Sequence, residues 1–260
     1  MKNDDAIAPV VAVMMILVVV VTLLGIWNAI YLPGFKQQAE VEHLRDVENG
    51  MVRFSADIDN SIFLWRNGTM SESIPLGGGD ILLNSIRSGG GIRINQRESA
   101  TNVIDVDGIP SAYGFLSNIT YEPVSNFWLN QGYSWEEGTI NVSRGPVSVP
   151  ISLENQYLEA RDAFRKNLLK QPEYSNDYHN ITIKIVNITP HSLNSASSGN
   201  GNSQLKLNAT VVRLPEWSGV TNLTVNGLPP RDLKYPANVT TERLDIILSA
   251  EYSLFPPSRR

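Results

Sequence analysis

The sequence contains no cysteine, so neither a disulfide framework nor a thiolate metal site is available to it. Histidine is scarce. His43, His179 and His191 are the three present, and none stands at the close paired spacing of a metal site. Basic runs are missing too: 21 Lys and Arg face 26 Asp and Glu, a formal net charge of −5. With nothing to neutralise a row of phosphates, nucleic acid is not expected as a partner.

Catalytic signatures are equally thin. A triad could be drawn from a serine, His179 and Asp177, but no strand-turn-helix G-x-S-x-G context supports it. The glycine triplets Gly77-Gly78-Gly79 and Gly89-Gly90-Gly91 do not fit G-x-x-x-x-G-K-[ST] and read as hairpin turns. Asp105 and Asp107, in Asp-Val-Asp-Gly, are the nearest approach to a calcium loop. They lack the later bidentate Glu of an EF-hand, and Asp-Gly is a common hairpin turn. Phe127, Trp128, Tyr133 and Trp135 could form a carbohydrate platform, with core packing the favoured reading. Neither an enzyme nor a cofactor is expected.

What the chain has is an opening apolar run. From Ile7 to Trp27 nothing is charged, and about 20 residues of helix cover the roughly 30 Å of a bilayer core. A cleaved secretory signal has a shorter apolar region, a basic lead and a small-x-small site. Here the lead is Met-Lys-Asn-Asp-Asp, and Trp27, Asn28, Tyr31, Pro33 and Gly34 follow. A retained membrane helix, ended or kinked near Pro33-Gly34, is the expectation.

Beyond the break, Val41, Leu44, Val47, Met51, Phe54 and Ile58 recur at three- and four-residue spacing, the stripe of an amphipathic helix. Glu40, Glu42, Arg45, Asp46, Glu48 and Arg53 fill the solvated positions, and Gly50 is a weak point that could permit a bend. The stripe is expected to pack on the chain's own β domain, with contact to neighbouring subunits as the alternative. Past Asn60, short alternating segments bounded by Gly, Pro and Asn predict half-buried antiparallel strands in a sandwich-like domain. One interruption, Leu153, Tyr157, Ala160, Phe164 and Leu168, predicts a packed helix with Ser152 as N-cap, and the Ser/Asn/Gly stretch 191–204 predicts an exposed loop.

Asn-x-Ser/Thr triplets start at Asn67, Asn118, Asn141, Asn180, Asn187, Asn208, Asn222 and Asn238, all after the apolar run. Composition predicts roughly three by chance. Apart from Asn187, which Thr189-Pro190 makes a poor acceptor, these sites are expected to carry glycans on an exported domain.

The segment Asp-Ala-Ile-Ala-Pro-Val-Val-Ala, residues 5–12, followed by the apolar helix, resembles the amino-terminal signature of archaeal type IV pilins and pilin-like surface proteins. Their common form is Asp-Ala-Val-Ser-Pro-Val-Ile-Gly. The sequence departs from it in Ala8 for Ser and Ala12 for Gly, which leaves major and minor pilin both open. The resemblance implies cutting by a prepilin peptidase at Asp5-Ala6, a mature chain from Ile7, and a helix that passes from membrane lipid into a filament of like subunits. Pro9 would then sit in the first turn, where a missing N–H breaks no hydrogen bond.

The expected fold is therefore α+β: a long N-terminal hydrophobic helix, kinked near Pro33-Gly34, followed by a mainly antiparallel β-sandwich-like domain with one packed helix. Its expected parts are a leader (1–6), a transmembrane or filament-core helix (7–32), a helical stalk (33–60) and an exported β-rich domain (61–260). A monomeric, membrane-tethered adhesion protein is the alternative function, and an anchored hydrolase stands third.

Overall fold

The computed structural model describes residues 4–77, 88–125, 129–170, 172–174, 179–226 and 231–254. The fold is α+β, one long apolar amino-terminal helix followed by antiparallel sheets and a further short helix. Helix α1 (Asp4–Ile26) runs through a π turn (Trp27–Tyr31) into helix α2 (Leu32–Leu64). Fourteen strands follow among the described residues. They are β1 (Gly68–Pro75), β2 (Gly89–Gln96), β3 (Asn102–Val106), β4 (Ile109–Gly114), β5 (Ser117–Ser125), β6 (Gln131–Glu136) and β7 (Thr139–Arg144). After β8 (Val147–Pro150) comes helix α3 (Glu154–Leu168), then β9 (Glu173–Tyr174), β10 (Asn180–Pro190), β11 (Ala196–Gly199), β12 (Asn202–Arg213), β13 (Trp217–Val225) and β14 (Arg231–Ser253).

The helix does not end at Pro33. Its irregularity is the π turn just before, where the Leu32 N–H donates to Trp27 O, five residues back. Proline removes one donor, and its ring clashes with the carbonyl four residues earlier, here Ala29; a wider turn gives that carbonyl room. Trp27, Tyr31 and Phe35 stack across the turn, with ring centroids 5.7 and 6.0 Å from Trp27.

The strands form two sheets. One has eight strands, with β1-β12-β14-β13-β3-β4 along its main path and β10 and β9 attached to β14; the other runs β11-β2-β5-β6-β7-β8. Pairing is antiparallel except between β10 and β14, which run parallel from Asn180↔Asn238 to Pro190↔Leu248. The hairpins β3–β4 and β6–β7 turn at Asp107-Gly108 and Glu137-Gly138, each with two positive φ angles (50° and 80°, 49° and 78°). That is the geometry matching the right-handed twist of the flanking strands.

A single large core joins α2, both sheets and α3. Val47, Met51, Phe54 and Ile58 from α2 meet Ile74, Tyr121 and Trp135 from the strands, Phe164 from α3, and Ile246 and Leu248 from β14. A second, smaller cluster, including Ile104, Ile181, Ile183, Leu223 and Val239, fills the far end of the eight-stranded sheet.

The amphipathic stripe packs on the chain's own β domain: α2 continues to Leu64, and Leu44, Val47, Met51, Phe54, Ile58 and Ile62 are buried in the core. A Cβ on Gly50 would meet Ile74 Cγ1 at 3.0 Å, so the missing side chain lets α2 approach β1. Three expectations need correction. Gly89-Gly90-Gly91 is no hairpin turn but the start of β2. A Cβ on Gly90 would stand 2.6 Å from Leu76 O, so glycine there admits a neighbouring backbone. Of the other triplet, Gly78 and Gly79 lie outside the described residues. Stretch 191–204 is not simply a loop, because Ala196–Gly199 pairs with β2. An edge strand needs only backbone hydrogen bonds, which polar composition does not prevent. Finally, α3 is capped at Leu153 with no side-chain bond from Ser152, and only Phe164 and Leu168 of its stripe are buried.

Candidate functional site

The feature that sets this molecule apart is an apolar helix on which none of the described residues packs. From Val10 to Ile26 every large apolar side chain is exposed. The segment Pro9–Leu64 contains a stretch long and apolar enough to cross a membrane, a candidate anchor. Thr22 is the one hydroxyl between Pro9 and Ile26, and its Oγ1 donates to Val18 O at 2.6 Å. The surface therefore offers no unmet polar side chain to an apolar environment. The expected processing residues Asp5, Ala6 and Ile7 lie in the helical backbone of α1, and their side chains are outside the described residues.

The other half of the rod is gripped by polar bonds as well as by the core. Trp135 Nε1 donates to Ser55 Oγ at 2.9 Å, and the Tyr133 hydroxyl donates to Glu48 Oε2 at 3.2 Å. His43 Nε2 and the Tyr121 hydroxyl share a bond of 2.8 Å, while the Leu129 N–H donates to Glu40 Oε2 at 3.2 Å. Glu40 and His43 are buried, contrary to the solvated place that charge patterning gives Glu40. Burial lowers the His43 pKa to about 4, against a smaller opposing pull from Asp46. It also pushes the Tyr133 hydroxyl up to about 12.

Glu137, at the β6–β7 turn, is a buried carboxylate that Arg97, Arg161 and Arg165 all reach. Burial raises its pKa, but the bonds from Arg161 and Arg97 outweigh that and hold it below the usual carboxylate value. Three cations on one anion clamp α3 and the segment after β2 to one hairpin. Pairwise spacing could not reveal this, because the four residues are drawn from segments far apart in sequence.

The other sequence candidates disperse. Tyr133 and Trp135 are core residues, and Phe127 and Trp128 lie outside the described residues, as does Asp177. His179 is exposed at the start of β10. One carboxylate oxygen of Asp107 accepts from the Thr221 and Asn222 N–H groups and the Thr221 hydroxyl, at 2.8 to 3.1 Å. It thus ties β13 to the hairpin tip. Among the described residues no group of three or more His, Cys, Asp or Glu could hold a metal ion.

The chain matches no family model, no curated protein and no solved structure.

The sequons divide by exposure. Asn67, Asn180 and Asn208 are exposed; Asn118, Asn222 and Asn238 are half-buried; Asn141 is 9% exposed. Asn187 is buried and structural: its Nδ2 donates to Asp245 and its Oδ1 accepts from the Phe115 N–H. Asn67 and Asn208 sit near each other at the β1 edge, where Thr69 pairs with Asn208. Asn180 and Asn238 are direct partners across the parallel pair, with Asn238 Nδ2 donating to Asn180 Oδ1 at 3.2 Å.

Proposed function

We propose that this chain is a structural subunit of an archaeal type IV pilus-like surface filament. The observation that carries the reading is the single rod Asp4–Leu64, exposed and apolar at one end and enclosed by a folded β domain at the other. A helix that is apolar all round is stable in lipid and equally stable among copies of itself, so moving it from one to the other costs little. In this reading a prepilin peptidase cuts at Asp5-Ala6, Ile7 begins the mature chain, and membrane lipid holds the helix before assembly. Like subunits then replace the lipid. The β domain coats the fibre at the cell surface, N-glycosylated on its exposed sequons, and the chain has no enzymatic role.

A second reading is a monomeric adhesion protein tethered in the membrane. The Trp27, Tyr31 and Phe35 stack favours it, since aromatic rings gather where a helix leaves the lipid.

Val19→Lys separates the two. A lone anchor tolerates one lysine at a cost of about 3 kcal/mol, whereas a fibre buries an unpaired ammonium in every subunit, repeated by symmetry. The expected result is normal membrane-bound protein and loss of the sheared, sedimentable form. Val19→Lys filaments at wild-type yield would show that this helix is not the fibre core, and absence of a sedimentable form of the unaltered chain would favour the tether.

A further inference from the structure

Among the described residues an apolar groove stands open beside α2. Strand β8 is an edge of the six-stranded sheet, at the end opposite β11, and Val142 pairs across to both Tyr133 and Val149. Paired residues share a sheet face, so Val149 lies on the face through which Tyr133 reaches Glu48 of α2. The sheet overhangs the helix there. Between them is a groove of about 480 Å³ whose lining includes Glu48, Val142, Arg144, Val147, Val149 and Ile151. Val147 and Val149 are 60% and 52% exposed.

Helix α2, which lines this groove through Glu48, carries an exposed apolar line of its own. Between Lys36 and Ile62, the exposed large apolar side chains are Val41 and Val52, eleven residues apart, and Phe63 follows after another eleven. Eleven residues make about three turns, which places these side chains on one line down the helix. Glu48 is seven residues after Val41 and four before Val52, on the same flank.

We propose that this groove receives the apolar segment Pro9–Ile26 of a second copy of the chain. The proposal rests on the polymer reading above. The two surfaces match over most of their area, a cylinder without free polar side chains and a trough lined by valine, proline and isoleucine, with Glu48, Gln131 and Arg144 as its polar members. They also lie on one rod. Val18, in mid-segment, is 30 residues before Glu48, about 45 Å along the axis, so segment and groove cannot meet within one molecule. Two molecules can meet when one is displaced along the axis by about that distance. Each copy then still presents a free groove and a free segment, and the contact propagates instead of closing. Lipid cannot serve as the occupant for both surfaces at once, because a bilayer that covers Pro9–Ile26 ends before the groove begins.

The absence of cysteine gives a clean test. Val149→Cys is combined in turn with Val11→Cys, Val18→Cys and Ile26→Cys, and sheared surface material is oxidised. The expected result is a ladder of oligomers for at least one pairing, with peptide mapping joining position 149 of one copy to the apolar segment of another. The pairing that links also gives the axial register. Val149→Asp should lower the sedimentable form at least tenfold while membrane-bound protein stays at its normal level. Sedimentable filaments without a link from 149 in any pairing, or Val149→Asp filaments at wild-type yield, overturn the groove and leave the polymer reading standing. Absence of any sedimentable form of the unaltered chain overturns both.

Discussion

The indole N–H of Trp135 donates to the hydroxyl of Ser55 across 2.9 Å, both side chains buried and 80 residues apart in sequence. This bond fixes the rotation of α2 about its axis against the six-stranded sheet. Ser55→Ala leaves the indole donor unpaired in the core and should cost about 1–3 kcal/mol. Trp135→Phe in the Ser55→Ala background should add less than it does alone, which urea unfolding of the detergent-solubilised chain would read as a double-mutant cycle.

His43 makes stability depend on pH. Its folded pKa of about 4 lies below the ordinary value near 6.5, so the fold favours the neutral ring. Above pH 6.5 both states are neutral and nothing changes. As pH falls from about 6.5 to about 4, the unfolded chain takes up a proton that the folded one refuses, and stability declines by up to about 3 kcal/mol. His43→Gln should flatten that part of the stability curve, as measured by denaturant midpoints across the range.

Glu137→Gln should destabilise the chain by about 2 kcal/mol, because Arg97, Arg161 and Arg165 lose the charge they converge on. The pH effect differs in cause from that of His43, since here the charged form is the one the fold favours. With a folded pKa held below the ordinary value, the stabilisation is present above that ordinary value and is lost as pH falls through the folded one. The variant should therefore differ from wild type near neutrality and converge with it in strong acid, as followed by thermal unfolding.

Glycan occupancy should follow exposure. Asn67, Asn180 and Asn208 are open to a transferase, whereas Asn141 has 9% of its surface free. Glycopeptide mass spectrometry of native protein should find sugar on the first three and an unmodified Asn141. Sugar on Asn141 with bare Asn67 and Asn208 would show that modification precedes folding or ignores it.

Gly50→Val should cost about 1–3 kcal/mol, since its Cβ would already stand 3.0 Å from Ile74 Cγ1 before the added methyl groups are placed. Ile74→Ala should cost less in the Gly50→Val chain than in the unaltered one, because it opens the space the valine needs, read from unfolding midpoints as a double-mutant cycle.

Several features were legible in the sequence because they depend on local chemistry. An uncharged run from Ile7 to Trp27 is apolar on every face whatever surrounds it, and the strands built on period-two alternation, such as Asn180–Pro190, follow from the pleat. Asp107-Gly108 announces a hairpin because few other pairs accept two positive φ angles. The stripe from Leu44 to Ile58 likewise told that α2 has a buried side.

Only the tertiary structure decided what lies against each of those faces. Periodicity gives a side, but the width of the buried arc depends on the partner: strands of both sheets against α2 bury Glu40 and His43 and leave Val41 out. The parallel pairing of β10 with β14 and the edge pairing of Ala196–Gly199 rest on backbone hydrogen bonds, which carry no side-chain signature. Glu137 gathers three arginines from two segments remote from it in sequence, which pairwise spacing does not bring together. Composition settles what a surface is made of, while proximity between remote segments arises only when the chain closes its core.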